Sequence, residues 1–119
     1  MELKIKRIYE SASPDDGTRV LVDRIWPRGV SKDQAKIDHW WKDLAPSTEL
    51  RKWYAHRVER WQEFRKKYMA GLKHHDEALN KLKALAASGR VTLVYSAKDV
   101  QHNQAIVVKD YIENPEKDI

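Results

Sequence analysis

The chain of 119 residues contains no cysteine. That absence excludes a disulfide framework, a thiolate nucleophile, and any zinc or iron–sulfur site built on thiolates. Glycine is scarce: four residues, at positions 17, 29, 71 and 89, all far apart. A glycine-rich phosphate loop cannot be assembled from them, and no GxxxxGK[ST], GxGxxG or GxSxG stretch occurs. No dinucleotide or other cofactor is therefore expected. No apolar run approaches the roughly 20 residues that span a bilayer. The opening MELKIKRIYE has no apolar core of a signal peptide. These absences predict a soluble cytoplasmic protein with no membrane partner.

What is abundant is charge. Lys and Arg number 23 against 18 Asp and Glu, a net charge of +5. An excess of this sign suits an anionic partner, whether a phosphate-bearing metabolite or a nucleic acid, and it also serves solubility alone. The apolar residues are gathered into runs, and five Trp and five Tyr add large buried areas, so a packed core is expected. The length suits one domain spanning 1–119.

Along the chain, Leu3 and Ile5 alternate with charged residues in Glu2–Lys6, which predicts a strand near a sheet edge. A turn cluster, SASPDDG, follows. Thr18–Ile25 (TRVLVDRI) predicts a central strand, because Val20, Leu21 and Val22 leave no polar face. Trp26-Pro27-Arg28-Gly29 ends it. Ser31 with Gln34 fits a capping box. Ile37–Leu44 is ambiguous between helix and strand. Ser47 suits the N-cap of a helix from Thr48 to about His56. A longer helix is expected from about Glu59, with Trp61, Phe64, Tyr68 and Leu72 as its stripe. It would continue through Gly71 and His74-His75 to Ala78, Leu79, Leu82 and Leu85, ending at Gly89 as a C′ residue. Val91–Ser96 predicts a second buried strand. Asn103 to about Glu113 predicts a final helix with Ala105, Ile106, Val108 and Ile112 inward and Pro115 closing it. Residues 114–119 are expected to fray. The alternation predicts an α/β fold: a single layered domain with a small, mostly parallel sheet flanked by helices.

Ligands of open α/β sheets bind outside the carboxyl ends of the strands. Two predicted strands end in polar segments, DRIWPRG and SAKDVQHN. As parallel neighbours they would line one crevice. Arg24 and Arg28 offer forked donors for phosphate or carboxylate, and Lys98 adds a mobile charge. The helix start near His102 and Asn103 presents free N–H groups. Trp26 offers a stacking surface. Asp23, Asp99 and His102 are candidate acid–base groups. Each has a plainer role open to it. Asp23 and Arg24 fit an internal ion pair, Trp26 a lid on the core, Asp99 or Asn103 a helix cap, and His102 a surface histidine.

Other signals are weaker. His74-His75-Asp76 resembles a metal triplet, yet adjacent helical residues face different ways, so no metal is expected. Arg57, Arg60, Arg65, Lys66 and Lys67 form a basic helix face that either tracks a nucleic-acid backbone or is simply solvated. Trp53, Tyr54 and Trp61 among them suit core packing better than base stacking. Trp40 or Trp41, if exposed, would anchor a protein partner.

RVLVDRIWPRGVSK, DLAPSTELRKWYAH, RWQEFRKKY and LVYSAKDVQHNQAIVV together resemble the YeaO-like family, a domain of unknown function, from about Lys4 to Ile112. The resemblance implies a compact α/β domain without an established reaction. It marks the segment from Asp23 to Gly29, then Lys32, Ala45-Pro46-Ser47, Trp53 and His56, and finally Tyr95, Asp99, His102 and Asn103. It thereby adds Ser47 and His56 to the candidate site, with Lys32 and Tyr95 as ligand-binding candidates, while His56 fits better a histidine stabilising a helix C-terminus. Val58 departs from the pattern, where a proline would be expected near His56.

Overall fold

In a computed structural model describing residues 2–114, a four-stranded sheet is built from β1 (Leu3–Arg7), β2 (Thr18–Leu21), β3 (His39–Trp40) and β4 (Val91–Tyr95). The spatial order is β1-β4-β2-β3 and every pairing is parallel. β1 lies at an edge, as its alternation predicts. β4 is buried at all five positions and sits between β1 and β2. Five helices complete the α/β domain: α1 (Lys32–Ala35), α2 (Thr48–Tyr54), α3 (Trp61–Leu72), α4 (Asp76–Ser88) and α5 (Gln104–Glu113). Residues 115–119, with most of the expected frayed tail and Pro115, lie outside the described residues.

The two faces of the sheet are covered unequally. Val20, Val22, Val91 and Leu93 are wholly buried in a large cluster with Phe64, Leu72, Leu82 and Val108 from α3, α4 and α5. The other face carries a smaller cluster of Ile8, Leu21, Ala35 and Val94, roofed by Trp26, Val30, Ile37 and Trp40. Consecutive burial of Val20, Leu21 and Val22 follows from this two-sided cover. Trp40 and Trp41 are not exposed anchors. The Trp40 indole donates to Asp23 O (2.7 Å), and Trp41 stacks on His39 while packing against the large cluster.

Several boundaries differ from expectation. β2 stops at Leu21 and Ile25 is exposed, because Pro27 and the αL residue Gly29 (φ 77°) turn the chain off the sheet. The expected continuous helix breaks at Lys73–His75, separating α3 from α4. The backbone of His75 caps the second helix by accepting from Leu79 N. α2 ends at Tyr54, with Ala55 and His56 left-handed (φ 49° and 58°). Gly89 ends α4 in an extended conformation, without the left-handed twist of a C′ glycine. Ile37–Leu44 splits into β3 and a 3-10 turn at Lys42–Leu44. Ser31 Oγ accepts from Gln34 N, while the reciprocal capping box forms between Ser13 and Asp16. In α5, Val107 is fully buried and Ile106 only half so.

Two devices at the amino ends of the strands hold the register. Gly17 (φ 66°) lets the chain enter β2 against β4, and a Cβ there would fall 2.2 Å from Arg90 O. Beside it, buried Asp16 pairs with buried Arg19 (2.6 Å) and with Lys6 (3.1 Å), while Thr92 Oγ1 donates to Asp16 O. Burial alone would raise the Asp16 pKa. The Ser13 N–H, Lys6 and Arg19 outweigh it and hold the carboxyl below its ordinary value.

Gly17→Ala is expected to destabilise the fold by at least about 1 kcal/mol, read as a lower urea midpoint at unchanged slope. Asp16→Ala should cost about 3 kcal/mol at neutral pH, because it strands the buried Arg19. A depressed carboxylate stabilises above its unfolded pKa, near 3.9, and that contribution fades as pH falls through the lower folded value. The variant should therefore lose less of its remaining stability on acidification than the parent, as followed by circular dichroism.

Candidate functional site

The parallel pairing of β2 with β4 brings their carboxyl ends together. Leu21 is opposite Val94, and Val22 N donates to Val94 O (3.0 Å) just beyond. The segments that follow, with the end of α2 and the start of α5, enclose a cleft of about 1000 Å³. Asp23, Arg24, Trp26, Arg28, Lys98, Asp99, His102 and Asn103 all line it. His56, implied by the family resemblance, lines it too. Lys32 and Tyr95 do not. Lys32 opens α1 in the layer of the smaller cluster, and Tyr95 is buried in the core, where Asn103 bonds its hydroxyl. Ser47 serves as the N-cap of α2, accepting from Leu50 N (3.1 Å).

The loop after β2 is held by its own indole. Trp26 Nε1 donates to Val30 O (2.8 Å), and its ring meets Trp40 edge-on at 5.5 Å. Trp26 is thus a lid on the smaller cluster that also forms a wall of the cleft. Arg24 does not pair with Asp23; its Nε donates to Pro46 O (3.0 Å). The Asp23 carboxylate is buried and accepts from Ser96 and from Gln104 Nε2. Burial raises its pKa, only partly offset by those bonds and by the charge of Arg51.

The loop after β4 folds around Asp99. Its Oδ1 accepts from Gln101 N (2.9 Å) and His102 N (3.0 Å), and its Oδ2 lies 2.9 Å from His102 Nδ1. The Gln101 N–H, together with His102, lowers the Asp99 pKa despite some desolvation. A carboxylate at Nδ1 orients the imidazole ring and favours the tautomer with its proton on Nδ1. Trp61 meets the ring edge-on at 5.2 Å. The N-cap of α5 is Asn103, whose Oδ1 accepts from Ile106 N and whose Nδ2 donates to Asp99 O. Asp99 is therefore an orienting group for His102 and not the helix cap.

Arg51 and Lys52 at the end of α2 and Gln104 also line the cleft and were not singled out from the sequence, and Tyr54, read as a core residue, is buried there and reaches it too. The predicted span of α2 could have pointed to Arg51, which stands one turn after the Ser47 cap. Gln104 carried no signal beyond its place beside Asn103. Among the described residues, none of Arg24, Arg28, Arg51, Lys52 and Lys98 forms an ion pair, and the two carboxylates in the cleft are already engaged. The basic helix face is different. Arg57 pairs with Glu59 and Lys67 with Glu63, and Arg65 bonds Asp110. Arg60 and Lys67 flank Trp53 at 5.1 and 4.4 Å. Among the described residues, no cluster of three or more His, Asp or Glu is arranged to hold a metal ion, and no helix is long and apolar enough to cross a membrane.

The family model described as the inactive DUF488-N3 subclade matches residues 2–118. The uncharacterised protein YeaO of Escherichia coli (strain K12) is 41% identical over 112 residues, covering 94% of this chain and 97% of YeaO. The uncharacterised proteins Rv3073c of Mycobacterium tuberculosis (strain ATCC 25618 / H37Rv) and Mb3100c of Mycobacterium bovis (strain ATCC BAA-935 / AF2122/97) are each 45% identical over 106 residues, 89% of either chain. No solved structure matches the chain. With near full-length coverage of the family model and of YeaO, this chain belongs to the YeaO-like DUF488 family, within the subclade described as inactive.

Proposed function

We propose that the cleft binds a small phosphate-bearing organic anion. The observation that carries this is the set of five cations, Arg24, Arg28, Arg51, Lys52 and Lys98, that line one concave surface without ion-pair partners among the described residues. Like charges brought together in this way cost energy unless an anion joins them, and forked arginine donors match phosphate oxygens. A cleft of about 1000 Å³ exceeds what inorganic phosphate needs. Pro27, Tyr54, Phe64 and Ala97 give it an apolar side. A nucleoside or sugar phosphate suits both sides at once. The Asp99–His102 pair presents Nε2 to a ligand hydroxyl or ring nitrogen, and Asp23 supplies a carboxyl with a raised pKa. Those are acid–base groups, but the word inactive in the subclade's description favours recognition over turnover. A cytoplasmic setting, where phosphorylated metabolites are retained, fits this reading. The pairing of Arg65 and Lys67 on α3, and of Arg57 just before it, weighs against that face as a nucleic-acid surface.

Thermal shift against nucleoside monophosphates, sugar phosphates, inorganic phosphate and short RNA tests the proposal. A ligand at 100 times its Kd stabilises by about 2.7 kcal/mol, a rise of roughly 10 °C. Arg51→Ala should weaken binding about 10- to 100-fold, the effect of losing one charged hydrogen bond. A response to RNA alone, unchanged by Arg51→Ala and lost on neutralising Lys66 and Lys67, would overturn it.

Asp23 should titrate above the ordinary aspartate range in a carboxyl 13C NMR titration. A raised carboxyl contributes stability below its unfolded pKa, near 3.9, and loses it as pH rises through the folded value. Relative to Asp23→Asn, the parent should therefore lose stability as pH climbs above about 4. Parallel pH profiles for the two proteins would contradict this placement of Asp23.

A further inference from the structure

The two loops that carry Arg28 and Lys98 meet at their roots, where the Asp23 carboxylate accepts from Ser96, and beyond that link both are held from behind by the segment leaving β1. Arg7 Nε donates to Ala97 O (2.8 Å) and its Nη2 to Ser96 O (3.3 Å). The Tyr9 hydroxyl donates to Arg28 O (3.0 Å). The Arg7 guanidinium lies over the Tyr9 ring at 4.9 Å, so the two side chains form one unit. Neither residue lines the cleft. Tyr9 is 50% exposed, so it adds little to the core. Its base is fixed: Ile8 N donates to Tyr95 O (2.7 Å), and Arg7 N donates to Glu10 Oε2 (3.2 Å).

We propose that Arg7 and Tyr9 are positioning residues, a clamp that sets the separation of the Arg28 and Lys98 loops and couples the motion of one to the other. The chemistry is specific. Arg7 spends its donors on two successive carbonyls at the end of β4, which fixes the peptide planes preceding Lys98. Tyr9 spends its donor on the carbonyl of Arg28 beside the left-handed Gly29. Stacking between guanidinium and ring transmits a shift of either carbonyl to the other. For the phosphate reading above, on which the ligand part of this inference rests, the clamp holds cations from different loops at a spacing matched to one anion before it arrives.

The test uses 15N-labelled whole chain as the parent, Tyr9→Phe and Arg7→Lys. Tyr9→Phe keeps the ring and removes only the hydroxyl link. Without ligand, it should shift and broaden the amide signals of Gly29 and Val30 and, through Arg7, those of Lys98 and Asp99. Arg7→Lys should perturb the same two groups starting from the other end. The urea midpoint should stay near that of the parent, since Tyr9 is half exposed. With a nucleoside monophosphate, Tyr9→Phe should bind about three- to tenfold more weakly, the size expected from one neutral hydrogen bond, and Arg7→Lys at least as much more weakly, since its bonds are charge-assisted. If Tyr9→Phe leaves Lys98 and Asp99 at parental positions and linewidths, the clamp is wrong. If the parent binds no phosphate compound, the proposed function fails, while the ligand-free spectra still decide the clamp.

Discussion

β2 and β4 hydrogen-bond in parallel from Thr18 opposite Val91 to Leu21 opposite Val94, and the positions of the cleft residues on the two segments that follow these strands descend from that pairing. Because both strands run the same way, their carboxyl ends emerge together and the DRIWPRG and SAKDVQHN segments meet. The register is defended at the opposite end. Gly17 permits a backbone approach to Arg90 that no side chain would allow, and the Asp16–Arg19–Lys6 cluster ties β1, the turn and β2 across β4. A slip of one residue would turn Arg19 and Thr92 into the large apolar cluster.

The cleft end of the same sheet shows the opposite economy. Its carboxylates are saturated: Asp23 by Ser96 and Gln104, Asp99 by two backbone amides and His102. Among the described residues, its cations Arg24, Arg28, Arg51, Lys52 and Lys98 form no ion pairs. At the base of the sheet, charge is neutralised internally and stabilises the fold. At the top, five cations outnumber the two carboxylates, and two consecutive left-handed residues, Ala55 and His56, stand at the wall. Positive φ in non-glycine residues costs stability, and of the three such positions among the described residues Ala55 and His56 lie at the cleft and Lys36 at the end of α1. An Asp-oriented imidazole in a subclade described as inactive is compatible with this picture, since the same geometry that would steer a proton also places a hydrogen bond.

Much of this was legible in the residues. Val20-Leu21-Val22 and the five-residue β4 announce strands covered on both sides, and that pattern implies a parallel sheet and a crevice at its carboxyl ends. What the residues could not show was which strands are neighbours. The order β1-β4-β2-β3 depends on long-range packing, as does the arrival of α2 at the cleft with Arg51 and Lys52. The basic run Arg57–Lys67 drew attention because its charges are dense in sequence. The fold pairs Arg57, Arg65 and Lys67 with Glu59, Asp110 and Glu63 and turns Arg60 to the Trp53 carbonyl. Lys32 and Tyr95 entered the site through family resemblance, and their places in α1 and the core fit structural constraint. The break at Lys73–His75 was hidden because the apolar stripes of α3 and α4 share a helical spacing that runs across it.

The most direct test of the central claim is a 1H–15N NMR titration of the whole chain with a nucleoside monophosphate. If the cleft is the binding surface, saturable shifts will concentrate at Arg24–Gly29, Arg51–His56 and Lys98–Gln104, three segments remote in sequence that meet at one place. Shifts confined to residues 57–67 of the basic helix face, or none at ligand concentrations up to millimolar, would contradict the account.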